Sequence, residues 1–99
     1  MNYRSKTNGW KEGVAFVRGI NIYGNFRITK EKMLDLCKKI ENRHIKIIKI
    51  VGTDNIIFKK KDIHYATVGA KLEKVLSSHF KKPIYVTTRS MKTIRSLLQ

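Results

Sequence analysis

Three patterns in the sequence predict an α+β fold. Four short runs rich in β-branched and aromatic residues, at 13–22, 45–51, 55–59 and 84–88, have the length and composition of strands. Two segments with apolar residues at helical spacing fall between the first and second runs and between the third and fourth. The turn cluster Gly52-Thr53-Asp54-Asn55 joins the second and third runs so closely that they must pair as an antiparallel hairpin. The resulting order, βαββαβ, is the ferredoxin-like, split βαβ arrangement, an antiparallel sheet with both helices on one face.

Each element has a local reason. Val14, Ala15, Phe16 and Val17 form a continuous apolar run after Gly13, as expected of a central strand covered on both sides. Arg18, Gly19, Asn21, Gly24 and Asn25 mark its end and the loop that follows. Thr29 is placed to cap a helix over about residues 30–42, whose buried stripe is Met33, Leu36, Cys37 and Ile40. After the hairpin, Asp62 is the expected cap of a second helix. Its stripe runs through Tyr65, Val68, Leu72, Val75 and Leu76 to about His79. Pro83 opens the fourth strand. Ser90 is expected to cap a terminal helical stub carrying Met91, Ile94, Leu97 and Leu98 on one side. Residues 1–12 read as a flexible basic arm and 13–99 as the domain, with Trp10 either docked on it or exposed.

Composition narrows the function classes. The chain has 99 residues, 41% of them hydrophobic, which is too apolar for intrinsic disorder. One cysteine gives no disulfide framework and fits a cytoplasmic location. No apolar run approaches the roughly 20 residues of a membrane span, and the N-terminus lacks a signal-peptide core. Twenty-two Lys and Arg against seven Asp and Glu give a formal charge of +15. Small domains need a charge of only about 2–8 for solubility, so the excess points to a polyanionic partner such as nucleic acid. The charge divides evenly along the chain, +8 over residues 1–50 and +7 over 51–99, and lysine dominates it. Lysine suits phosphate attraction better than bidentate base reading.

From Arg18 the sequence reads Arg-Gly-Ile-Asn-Ile-Tyr-Gly. This stretch resembles the domain of unknown function 1697 family, whose members carry an Arg-Gly-Ile-Asn motif after the first strand. The similarity continues through Arg27, Met33, Leu34 and Leu36, through Asn55-Ile56-Ile57-Phe58, and through Leu72-Glu73, Thr88 and Arg89. It runs from about Gly13 to the C-terminus. The resemblance implies a ferredoxin-like fold with no assigned activity, and a longer protein of two such halves, of which this chain looks like the first. It departs from the family at the hairpin turn, where Gly52-Thr53-Asp54 stands for the usual Gln-Ser-Gly before the Asn.

Candidate sites follow from residue chemistry. Arg18, Asn21, Gly24 and Arg27 in the loop after the first strand, with Asn55 and Arg89, form a candidate ligand-binding set. Glycine lets backbone N–H groups approach an anion, and arginine offers a fork for phosphate or carboxylate. The competing reading is turn geometry alone, and the loop lacks the Gly-Lys-Ser/Thr ending of a P-loop. Lys38, Lys39, Lys46, Lys49, Lys59, Lys60 and Lys61 form a candidate nucleic-acid-binding set. Residues 13–18 partly mimic the RNA-recognition octapeptide, but Glu12 stands at its basic position and Val14 at a stacking one, so the segment reads as a core strand. Stacking needs aromatics on the open sheet face, and Phe16 or Tyr85 reach it depending on strand parity. The His residues are scattered, Cys37 reads as a buried hydrophobe, and Glu31 with Asp35 balance helix charge. No catalytic residue, metal site or cofactor is expected. The expected function is a non-enzymatic binder of polyanions such as nucleic acid. The alternatives are small-molecule binding or catalysis at the Arg18 to Arg27 loop, or a homodimerising structural half.

Overall fold

The computed structural model describes residues 9–19, 28–52 and 54–92. Strands β1 (Lys11–Gly19), β2 (Ile45–Val51), β3 (Asn55–Lys60) and β4 (Ile84–Ser90) form one sheet in the order β2-β3-β1-β4, each neighbour antiparallel. Helices α1 (Lys30–Lys38) and α2 (Tyr65–Phe80) connect β1 to β2 and β3 to β4. The expected α+β arrangement is therefore present, with β1 central between β3 and β4.

The core lies between the helices and one face of the sheet. α1 buries Met33, Leu36 and Cys37, and α2 buries Val68, Gly69, Leu72 and Leu76. They meet Ala15, Val17, Ile45, Ile47, Ile50, Ile56, Phe58 and Ile84 from the strands. Small residues sit where a helix comes close. A β-carbon on Gly69 would lie 3.1 Å from Thr88 Cγ2 and 3.5 Å from the Val86 carbonyl oxygen, so α2 packs nearly against the β4 backbone.

Several boundaries differ from expectation, each for a visible reason. β1 begins at Lys11, because Lys11 and Glu12 still pair with Lys60 and Lys59. The last two residues of the expected arm thus belong to the sheet. Thr29 caps α1 as expected, accepting from the Lys32 N–H at 3.0 Å. The helix stops at Lys38, not near Asn42. Lys39, Ile40 and Glu41 tighten into i→i−3 bonds, and Asn42 then bridges to Ile45 to start β2. Asp62 does not cap α2. It adopts the left-handed region at φ 63°, which Asp tolerates, and the extended His64 takes the N-cap position. Ser90 is the last residue of β4, and a helical turn starts at Met91. Ile94, Leu97 and Leu98 of the expected stub lie outside the described residues.

Both sheet edges are covered by carboxylates and a hydroxyl. On β2, the Ile47 N–H donates to Glu41 Oε2 at 2.9 Å. On β4, the Val86 N–H donates to Glu73 Oε2 at 2.8 Å and the Ile84 N–H to Ser77 Oγ at 3.0 Å. Glu73 and Ser77 are one helical turn apart, so α2 lines its side chains along the edge that a foreign strand would otherwise join.

Cys37 is fully buried, as expected of a small core hydrophobe, and burial pushes its thiol up from 9.0 to about 12. Thiol labelling at pH 8 is therefore expected only through unfolding, with a rate that rises with urea. The native pKa is raised, so the native state keeps a proton that the unfolded chain loses. Stability falls as pH climbs from about 9 toward 12. The urea midpoint should drop further over that window in the wild type than in Cys37→Ala. Equal drops would remove the thiol from the account.

Candidate nucleic-acid interface on the open sheet face

The helices cover one face of the sheet, and among the described residues no helix packs on the other, the open face. Strand alternation and the register assign each side chain to a face. In β1, Gly13, Ala15 and Val17 point to the helices, while Glu12, Val14, Phe16 and Arg18 point away. Both Phe16 and Tyr85 thus occupy the open face, which answers the parity question the sequence leaves.

Residues on this face line up in rows across the strands. The first row is Lys46, Lys59 and Glu12. The second is Lys49, Ile57, Val14 and Arg89. The third is Val51, Asn55, Phe16 and Thr87. Arg18 pairs with Tyr85 beyond it. An apolar diagonal of Ile57, Val14, Phe16 and Tyr85 therefore crosses the face with cations on both flanks. Tyr85 is 57% exposed, whereas Val14 is only 5% exposed.

A bulge in β2 keeps the two lysines of that strand on the same face. The register shifts between Ile47 and Lys49, leaving Ile48 as the extra residue, 43% exposed. Ile47 before it and Ile50 after it both remain in the core. Perfect alternation from Ile45 would instead turn Lys49 inward and Ile50 outward, and the cost of burying an unpaired ammonium rules that out.

At one end of the face, Trp10 docks beside the first row. The Lys46 ammonium lies 5.4 Å from its ring centroid and that of Lys61 6.0 Å, both within cation–π range. Trp10 is half-buried. His44 Nδ1 lies 3.0 Å from the Lys61 carbonyl oxygen, tying this corner to the start of β2.

The fold divides the two candidate sets and mixes their members. Arg18, Asn55 and Arg89 of the ligand-binding set share the open face with Lys46, Lys49 and Lys59 of the nucleic-acid set. Asn21, Gly24 and Arg27 lie outside the described residues. Lys60 faces the helix side, its ammonium 4.4 Å over the Tyr65 ring. Desolvation and the neighbouring Lys11 lower its pKa, with Asp62 opposing, and burial raises that of Tyr65. Lys38 and Lys39 belong to the helix layer. Lys39 lines a cavity of about 450 Å³ with Ile40, Lys71, Lys74 and Val75. The seven lysines between residues 38 and 61 thus do not make one patch.

The acids are sorted as well. Glu31 and Asp35 are exposed on α1, Glu41 and Glu73 cover the sheet edges, and Asp54 and Asp62 sit in turns. Glu12 is the one carboxylate on the open face among the described residues. Cations thus lie on both layers of the fold, whereas the acids of the described residues fall mostly off the open face. Among the described residues, no three His, Cys, Asp or Glu side chains come together as a metal would require, and no helix is long and apolar enough to cross a membrane.

The family model described as a protein of unknown function (DUF1697) matches residues 11–99. No curated protein and no solved structure matches the chain.

Proposed function

The chain belongs to the DUF1697 family of proteins of unknown function, and from the sorting of charge in its fold we propose that it is a non-enzymatic module that binds nucleic acid through the open face of its sheet. One observation carries the reading. Arg18, Lys46, Lys49, Lys59 and Arg89 project from the same face, where Glu12 is the one carboxylate among the described residues. Solubility would be served as well by cations and acids mixed over the whole surface. A face with five cations and a single carboxylate instead raises the local potential and draws a phosphate backbone to it by release of its counterions.

The test is a salt titration of oligonucleotide binding. If each of these five cations neutralises one phosphate, log K should fall against log salt with a slope of roughly −3.5 on a single strand. Affinity then drops by roughly 100-fold between 50 and 200 mM salt. Absence of binding at 50 mM salt, or a slope near zero, would reject the reading.

A further inference from the structure

The five cations account for attraction to phosphate but not for what lies between them. The apolar diagonal of Ile57, Val14, Phe16 and Tyr85 occupies the middle of the face, and its Tyr85 end is the most exposed large apolar side chain described. A purely electrostatic surface has no use for it. Phe16 pairs with Thr87, so Tyr85 is its diagonal neighbour, at about 7–8 Å across the two strands. Arg18 stands directly opposite Tyr85, and Arg89 stands opposite Val14.

We propose that the ligand is a single-stranded nucleic acid whose successive bases stack on Tyr85 and Phe16 while Arg18, Arg89, Lys49 and the Lys46–Lys59 pair hold its phosphates. The proposal rests on the reading of this face as a nucleic-acid surface and adds which form of nucleic acid it takes. Charge complementarity selects the occupant. A second copy of this face would bring its own five cations against these five, and that repulsion excludes it. A duplex offers phosphates on its outside but keeps its base faces stacked inside, so it would satisfy the cations and leave the exposed Tyr85 ring without a stacking partner. An unpaired strand offers both phosphates and π-faces. Stacking also explains an aromatic beside an arginine at the exposed end, since a base can lie against the ring while the guanidinium reaches the adjoining phosphate.

The experiment compares four probes on the full chain at 50 mM salt. They are a labelled oligouridylate decamer, the matching oligothymidylate, a blunt duplex of equal length, and inorganic polyphosphate as competitor. Tight binding of either single strand, with the duplex at least tenfold weaker, is the expected result. Tyr85→Ala should weaken the single strand by roughly tenfold, the loss of one stacked base, and leave the polyphosphate competition constant unchanged. Tyr85→Phe should retain wild-type affinity, and Phe16→Leu, which keeps the strand covered, should repeat the selective loss. Three outcomes would overturn the proposal while leaving the charged-face reading intact. They are equal binding of duplex and single strand, a Tyr85→Ala defect shared by polyphosphate, and no defect at all. If none of the four probes binds, the charged-face reading fails first.

Discussion

Reversing Lys46, Lys49 and Lys59 to glutamate is expected to abolish nucleic-acid binding at physiological salt and to weaken it at least about 100-fold at 50 mM. Each change removes a phosphate partner and adds a repulsion. The three positions occupy the β2–β3 half of one face, so their effects fall on one ligand path. Neutralisation to glutamine is the milder form and should flatten the salt slope by about 2. The comparison that gives the result meaning is Lys38→Glu, Lys71→Glu and Lys74→Glu on the helix layer. It changes the net charge by the same amount. Those side chains belong to the helix layer on the other side of the sheet, so salt screening should limit their effect to a few-fold. Equal losses from both triple variants would mean that total charge, not its sorting, drives association. Folding is not at risk from Lys46 and Lys49, which are exposed. Glu at position 59 would face Glu12 and the new Glu partner across the strands, costing about 0.2–1 kcal/mol for each pair. Circular dichroism of each variant separates that cost from lost affinity.

The largest stability effect is expected at a residue with no side chain. Adding the methyl group of Gly13→Ala would place a carbon 2.6 Å from Phe58 Cζ and 2.9 Å from Tyr65 Cε1. Neither neighbour gives way easily. Phe58 is fully buried, and Tyr65 packs edge-on against it with ring centroids 6.2 Å apart. The Lys60 ammonium lies 4.4 Å over the Tyr65 ring. Overpacking of this kind costs about 1–3 kcal/mol, and in a domain of this size each kcal/mol moves Tm by about 4–8 °C. A fall of roughly 5–20 °C follows, and Gly13→Val should exceed it. The cause is testable by relief. Phe58→Leu destabilises by itself, but combined with Gly13→Ala it frees the space the methyl group needs, so the double variant should be more stable than the sum of the singles predicts. Strict additivity would move the strain elsewhere. A wild-type Tm for Gly13→Ala would show that the two rings shift freely.

Much of this fold is legible in the sequence because its elements are short and strongly patterned. The run Ile45–Val51 is a strand at the bounds expected from its β-branched content, and Thr29 caps α1 because its hydroxyl precedes an apolar stripe at helical spacing. What was hidden is parity. Val14, Ala15, Phe16 and Val17 are all apolar, so hydropathy alone cannot say which pair faces the helices. Size carries the missing signal. Gly13 and Ala15 point to the crowded helix side, and the larger Phe16 points to the open one. Parity also divides Lys59 from Lys60, since consecutive residues of a strand cannot share a face. The edge roles of Glu41 and Glu73 left no trace in spacing, because each reaches a backbone N–H on a different element. The cap assigned to Asp62 failed for a related reason. Its type suits a cap, but two further residues precede the helix.

The bulge at Ile48 has a consequence for how such a face is acquired. A strand is a binary device, in which each residue goes up or down, and one inserted residue inverts everything that follows. In β2 the bulge at Ile48 absorbs that inversion, so Lys49 stays on the charged surface instead of turning into the core. The place of Lys49 thus depends on a residue count and on where the extra residue is put. An insertion in β2 that entered the ladder instead of bulging out would turn Lys49 inward, with every lysine still in its sequence. A comparison of relatives that scores only substitutions would miss the change, whereas one that tracks the length of this strand would register it.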